Sequence, residues 1–311
     1  MRENGIININ KPKDWTSQDV VAKLRGRLHT RRVGHTGTLD PMATGVLPIC
    51  FGKATRIIEY YDDDFKTYEA EMMLGVRTDT LDVTGEVLET KEVAVSEEEI
   101  RGAVLSFGGW ITQIPPKYSA LKVNGRPLYK YAREGVDVDV KVKSREIYID
   151  DIEVLSVDMA EHRVAFRVRC SKGTYIRTIC DDIGQMLGCG AVMTALRRTA
   201  SGCFGIDAAL ALPDVLAMSD EELEARIMPM EDSLVHLGRI RLKSMASVPF
   251  YQNGRDIDEG YFIIESAPAV PEVFRETSRL QKMYRVMDPE GNFLGISRLE
   301  NHMLYPEKVI R

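Results

Sequence analysis

Residues 163–187 read RVAFRVRCSKGTYIRTICDDIGQML. Val164, Phe166, Val168 and Cys170 alternate with Ala165, Arg167 and Arg169, the period of a half-buried strand. After the turn Ser171-Lys172-Gly173 the period changes, and Ile176, Ile179, Ile183 and Leu187 recur at helical spacing. A strand running straight into an amphipathic helix predicts a mixed α and β chain, and it places Tyr175 and Arg177 at a junction of the kind that holds functional side chains. Outward from this stretch, Tyr68, Ala70 and Met72 alternate with Glu69, Glu71 and Met73, and Ile6 to Ile9 predicts another strand. Val20, Val21, Leu24 and Leu28 mark one face of a helix begun near Thr16 and Ser17. Ser96 and Glu99 form a capping-box pattern ahead of a helix carrying Ile100, Val104 and Phe107. These elements do not follow a βαβ rhythm. Past about residue 236 the chain is again strand-like, with Tyr284 to Met287, a turn at Pro289-Glu290-Gly291-Asn292, and Phe293 to Ser297.

The chain has 311 residues, 44% hydrophobic and 28% charged, which suits a soluble protein with one main domain and a smaller one. Met1 to Asn10 is too short and polar for a signal peptide, and no apolar run reaches membrane-spanning length. A cytoplasmic protein without membrane attachment is expected. Five cysteines without a CxxC pair point to reduced core thiols, and five histidines without HxxxH spacing argue against a metal site. The net charge of −6 is unevenly spread. From Lys11 to Arg56 nine bases face three aspartates, whereas residues 57–100 hold fourteen acids and three bases. Residues 115–150 carry eight bases against five acids, and 165–200 carry six against two. Separated basic segments on an acidic chain indicate a directional anionic footprint.

Inside the first basic segment lies GHTGTLDPMATGVLP, residues 34–48. Pro41 biases Asp40 away from helical dihedrals, and Gly37 and Gly45 allow tight turning or close approach to a ligand. Taken alone, an Asp-Pro between glycines is a surface turn. A second stretch, Gln113 to Arg133, interleaves bases with Tyr118, Tyr129 and Tyr131, a composition suited to phosphates and stacked nucleotides. Its plain alternative is a Pro-anchored loop with a short helix buried by its tyrosines.

Six ordered motifs resemble the bacterial tRNA pseudouridine 55 synthases, the TruB family. They are Asn10-Lys11-Pro12 with Thr16-Ser17, the loop 34–48, Lys66-Thr67-Tyr68 with Leu74-Gly75, the insertion 113–135, Cys170 to Thr178, and Leu196-Arg197-Arg198-Thr199. The resemblance covers most of residues 4–205, and the tail is more loosely similar to a PUA domain.

The resemblance implies an α+β pseudouridine synthase fold with a mostly antiparallel mixed central sheet. It further implies a catalytic domain over 1–235, an RNA-gripping insertion at about 110–150, and a small β-rich PUA-like domain over 236–311. The implied reaction isomerises uridine to pseudouridine in the T arm of tRNA, with no cofactor and no obligatory protein partner. Asp40 matches the catalytic aspartate, as nucleophile or as ribose base, and Arg177 the arginine that orients it. Tyr68 matches the tyrosine that stacks on the flipped uracil, and His35 the residue that fills the vacated space. Tyr175 matches the tyrosine that packs against the base and is a candidate acceptor of the C5 proton. An ordinary phenol holds its proton at neutral pH, so packing ranks first. Leu196 shapes the uracil wall, and Lys11 and Lys66 take supporting or RNA-binding roles. The alternatives are the same isomerisation on another RNA, or an RNA-folding chaperone without chemistry. A methyltransferase is disfavoured, because no glycine-rich cofactor loop follows a strand in a βαβ setting.

Overall fold

The computed structural model describes residues 2–61, 65–136, 138–140 and 143–310. In chain order it runs β1 (Gly5–Lys11), α1 (Ser17–Arg27), β2 (Val33–His35), β3 (Thr44–Phe51), β4 (Lys66–Leu74), β5 (Val76–Thr78), β6 (Val87–Thr90) and α2 (Glu97–Leu105). Then come β7 (Gly109–Gln113), β8 (Lys122–Val123), β9 (Arg126–Pro127), α3 (Leu128–Arg133), β10 (Arg145–Asp158), β11 (Arg163–Cys170), α4 (Ile176–Met186) and β12 (Ala191–Ser201). The remainder is strand-rich: β13 (Phe204–Gly205), β14 (Leu210–Ala211), β15 (Gly238–Leu242), β16 (Ile257–Asp258), β17 (Phe262–Ser266), β18 (Met283–Met287), β19 (Phe293–Glu300) and β20 (Met303–Val309). This is an α+β chain, and no described helix is long and apolar enough to cross a membrane.

The chain forms two compact units: Met1–Asp40, Val46–Asp64 and Gly202–Arg311 make the first, and Pro41–Gly45 with Phe65–Ser201 the second. In the second, β12, β4, β11, β10 and β7 follow one another as antiparallel neighbours. Thr44 and Gly45 of β3 add a parallel pairing to Arg197 and Arg198. The alternation in β11 buries Val164, Phe166, Val168 and Cys170 completely, each such apolar side chain stabilising the fold by roughly 1.5–3 kcal/mol. Ile176, Ile179 and Ile183 of α4 are buried as their spacing predicts. In α2 the box closes as read: Ser96 Oγ accepts from the Glu99 N–H, and Glu99 accepts from the Ser96 N–H at 2.7 Å.

In the first unit β1 pairs in parallel with β14, and β2 pairs antiparallel with β3. Thr16 caps α1, its Oγ1 accepting from the Asp19 N–H at 3.1 Å. The tail strands form a six-stranded sheet in the order β16, β20, β19, β18, β15, β17. Two apolar clusters serve it. One, around Tyr251, Phe262, Val286 and Leu304, lies wholly within the tail. The other joins Leu237, Leu280, Met283 and Ile296 of the tail to Ile6, Val46, Ile57 and Tyr60 near the start of the chain.

The cysteine reading needs one correction. Cys50, Cys170, Cys180 and Cys189 are buried free thiols, and burial pushes Cys50 and Cys170 up to about 12. Cys203 is exposed, because it sits in the turn between β12 and β13 outside either strand's buried face.

Candidate active site

Asp40 closes a loop whose two flanks are fixed by backbone contacts. Before it, the β2–β3 ladder pairs His35 with Ile49, and the Thr36 N–H donates to the Pro48 carbonyl at 3.2 Å. Ser17, buried at the start of α1, grips the residue preceding Asp40: its Oγ accepts from the Leu39 N–H at 2.9 Å and donates to the Leu39 carbonyl at 3.2 Å. From sequence Ser17 is a helix-start residue and part of a family motif, with nothing to link it to this loop. After the loop, Gly45 adopts φ +102°, and an added Cβ would stand 2.2 Å from the Arg198 carbonyl oxygen, so only glycine allows this close approach.

Lys11 is not the surface lysine that its residue type suggests. It is fully buried, and its Nζ donates to the carbonyls of Pro12 at 2.9 Å and Trp15 at 2.6 Å. Its charge thus holds the turn in which Asp14 takes φ +63°. Lys11, His35 and Asp40 belong to the first unit, and the other expected site residues to the second.

Within the second unit the register brings several of them onto one face. Arg198 of β12 lies opposite Gly45 on one side and opposite Tyr68 on the other, and Leu196 lies opposite Ala70. Cross-strand partners share a face, so buried Tyr68, Leu196 and Arg198 line the same side of the sheet. Lys66, two residues before Tyr68, shares that side and is half-buried.

Tyr175 and Arg177 open α4, as their sequence position predicts. Gly173, at φ +82°, provides the turn, and the Ser171 N–H and Oγ tie it to the backbone of Tyr148. The Arg177 guanidinium is buried, and its partners include three oxygens of this unit. Nη1 donates to the Thr80 carbonyl at 2.9 Å and to Asp82 Oδ2 at 3.4 Å, and Nη2 donates to the Tyr118 carbonyl at 3.0 Å. Asp82 is itself buried and accepts through Oδ1 from the Thr84 N–H and the hydroxyls of Thr80 and Thr84. A buried ion pair of this kind contributes little net stability, but its hydrogen bonds fix the direction of the guanidinium.

From composition Asp82 is only one of the fourteen acids of residues 57–100. The signal that would have found it is Thr80-Leu81-Asp82-Val83-Thr84-Gly85, a turn in which hydroxyls flank one carboxylate. The same segment reaches the insertion, since a hydrogen bond to Asp79 holds the Tyr118 phenol above its usual range.

At the two ends of the expected insertion, β7 and β10 pair as antiparallel members of the sheet. Asn124 and Gly125 both take positive φ, at 50° and 79°, forming the tight turn between β8 and β9. Its tyrosines are not buried. Arg126 lies over the Tyr131 ring and Arg133 over the Tyr129 ring, at 4.8 and 5.4 Å, leaving half-exposed aromatic and cationic surface.

Comparison with known proteins fits this architecture. Residues 25–176 match the model of the TruB family pseudouridylate synthase N-terminal domain, and residues 177–235 that of the tRNA pseudouridylate synthase B C-terminal domain. The chain is 47% identical to a tRNA pseudouridine synthase B of Alkaliphilus oremlandii, across 84% of this chain and 85% of that protein. It is 40% identical to a tRNA pseudouridine synthase B of Stutzerimonas stutzeri, across 99% and 96%. Among solved structures, an H/ACA RNP bound to a substrate RNA containing 2'-deoxyuridine superposes with a TM-score of 0.73 at 26% identity, covering 98% of this chain and 84% of that one.

Proposed function

The chain belongs to the TruB family of pseudouridylate synthases, and from that premise we propose that it converts one uridine of tRNA to pseudouridine, at position 55 in the T arm. The target base leaves its stack and rests on the Tyr68 ring, with Leu196 as apolar wall, Tyr175 packed against it and His35 filling the vacated space. The N1–C1′ bond breaks, the uracil turns, and a C1′–C5 bond forms. C5 loses a proton and N1 gains one, so the reaction needs neither a redox partner nor a cofactor. Asp40 supplies the ionised carboxylate, attacking the nucleotide or removing a ribose proton, and Arg177 orients it.

The observation that carries this reading is the shared face of Tyr68, Leu196 and Arg198, with Gly45 at the end of the Asp40 loop packed in register beside it. An apolar wall bearing one stackable ring suits a planar base, since base-aromatic stacking is worth about 1–3 kcal/mol. Lys66 and the cationic surface of the insertion suit the surrounding phosphates. Residues 236–311 serve as a PUA-like RNA-binding domain, a role supported by exposed Phe250 and Tyr261 beside Arg255 around a cavity of about 380 Å³. Such an enzyme works in the cytoplasm, where tRNA is processed.

The test is to incubate the purified chain with unmodified tRNA transcripts and map pseudouridine at nucleotide resolution. One new pseudouridine in the T arm, formed without additives, is expected. Unmodified transcripts, or modification only outside the T arm, would overturn the assignment.

A further inference from the structure

Tyr175 is held from two sides by residues that have no part in the function proposed above. It is the N-cap of α4, yet its own side chain makes no capping hydrogen bond. Instead the amide of Gln113, itself 1% exposed, takes up both backbone groups of Tyr175. Gln113 Oε1 accepts from the Tyr175 N–H at 2.7 Å, and Gln113 Nε2 donates to the Tyr175 carbonyl at 3.0 Å. The side chain thereby makes the paired bonds that a neighbouring strand would make.

The second contact is to the ring. The Arg145 guanidinium lies over Tyr175 with 4.9 Å between Cζ and the ring centroid. Arg145 has no ion pair among the described residues, and its buried Nε has no hydrogen-bond partner among them. Salt-bridge geometry therefore does not account for its position. Gly173 makes room for it, because an added Cβ there would meet Arg145 Nη1 at 2.9 Å.

Gln113 and Arg145 are also directly opposite each other in the β7–β10 ladder. They form the pair at the insertion end of that ladder. We propose that Gln113 and Arg145 are positioning residues for pseudouridine formation, a collar at the neck of the insertion that holds the Tyr175 backbone and ring and so ties the RNA-gripping segment to the reacting base. The inference rests on the reading that Tyr175 packs against the uracil.

The chemical demand is geometric. Displacing a packing group by about 1 Å can cost 10²-fold in rate without changing affinity, so a collar acting through Tyr175 affects turnover and leaves tRNA binding nearly intact. Single-turnover conversion at saturating tRNA and tRNA titrations on the full chain separate the two. Gln113→Leu is expected to slow conversion about 10- to 100-fold with Kd within about twofold. Gln113→Glu keeps the acceptor for the Tyr175 N–H but not the donor for its carbonyl, and is expected to recover part of the rate. Arg145→Met, which keeps the stem and deletes the stacked plane, is expected to slow conversion about tenfold.

Each loss should nearly vanish when the change is made on top of Tyr175→Leu, because coupled residues are not additive. Thermal melts establish that each variant is folded, and if Gln113→Leu is not, Gln113→Glu and Arg145→Met decide. Wild-type rates in the folded collar variants, losses that multiply with Tyr175→Leu, or Kd shifts as large as the rate losses would overturn the proposal. Were Tyr175→Leu itself to convert at the wild-type rate, the role given to Tyr175 would fall, and the collar with it. A slow Tyr175→Leu beside a wild-type Gln113→Leu would remove the collar alone.

Discussion

Asp40 and Arg177 sit in different settings. Asp40 sits on a loop whose backbone is fixed on both sides, at Leu39 by the Ser17 hydroxyl and at Gly45 by its contact with Arg198. Arg177 sits on the first turn of a helix and is fixed through its own side chain, by two carbonyls and a buried carboxylate. A loop whose backbone is pinned on both sides can present a side chain at a set place. At a helix start the partners that set a side chain's direction also keep it in place. Changes near Asp40 should therefore act through backbone placement, and changes near Arg177 through loss of charge partners.

The largest expected effect is at the loop residue itself. Asp40→Asn keeps the shape and removes the charge, so single-turnover conversion should fall by about 10⁴-fold or more, while the titrated tRNA affinity survives. Near-wild-type conversion would remove Asp40 from the chemistry and end the comparison. Next is Arg177→Met, which keeps an unbranched stem and deletes the guanidinium. Turnover should drop by about 10²- to 10³-fold, far more than affinity. Asp82 is then left buried without its cation, so denaturant melts should also show a loss of about 3–5 kcal/mol. If rate and affinity instead fell together in a folded variant, Arg177 would be a phosphate contact.

A subtler effect tests the loop side. Ser17→Ala deletes both hydrogen bonds to Leu39, and urea melts should show a loss of about 1–2 kcal/mol. Conversion at saturating tRNA should slow about tenfold with affinity unchanged. If the rate held while stability fell, the Ser17 clasp would serve the fold alone, and the loop would have to be placed by other contacts.

What could be read from the sequence depended on range. The alternation of β4 and β11 and the face of α4 are local, carried by periods of two and 3.6 residues, and they appear as read. Tyr68 and Leu196 are recognisable as motif residues, but their common face depends on β12 lying beside β4, a pairing of segments far apart in the chain. The partners of Arg177 are less legible still. Two are backbone carbonyls, at Thr80 and Tyr118, and a carbonyl has no residue type to betray it. Lys11 misleads for the same reason, since a lysine is read as exposed unless the carbonyls that satisfy it are known. Residues 236–311 read as a strand-rich appendage, yet apolar contacts with Ile6, Val46 and Tyr60 show only in three dimensions.

The smallest expected effect lies farther along α4 and asks whether the partnering seen at Arg177 extends down the helix. Asp181 is partnered there, accepting from Arg77 Nε at 3.0 Å and from Gln185 Nε2 at 2.5 Å. Asp182 has neither a hydrogen bond nor an ion pair among the described residues, and burial, followed by the Asp181 charge, pushes its carboxyl up to about 6. An acid with a raised folded-state pKa binds its proton more tightly in the folded chain than in the unfolded one. Its ionisation therefore withdraws stability as pH rises from the ordinary aspartate range through about 6, and the loss is complete above that. Asp182→Asn removes that cost. Discounted for solvent screening of a part-exposed group, the gain at pH ~8 should be about 1 kcal/mol, or about 2 °C in Tm. It should shrink as pH falls through about 6 and be gone near pH ~4, while conversion of tRNA stays at the wild-type rate. A Tm difference that is flat across this range would mean that Asp182 does not titrate in that window, and that α4 stabilises its second carboxylate as fully as the first.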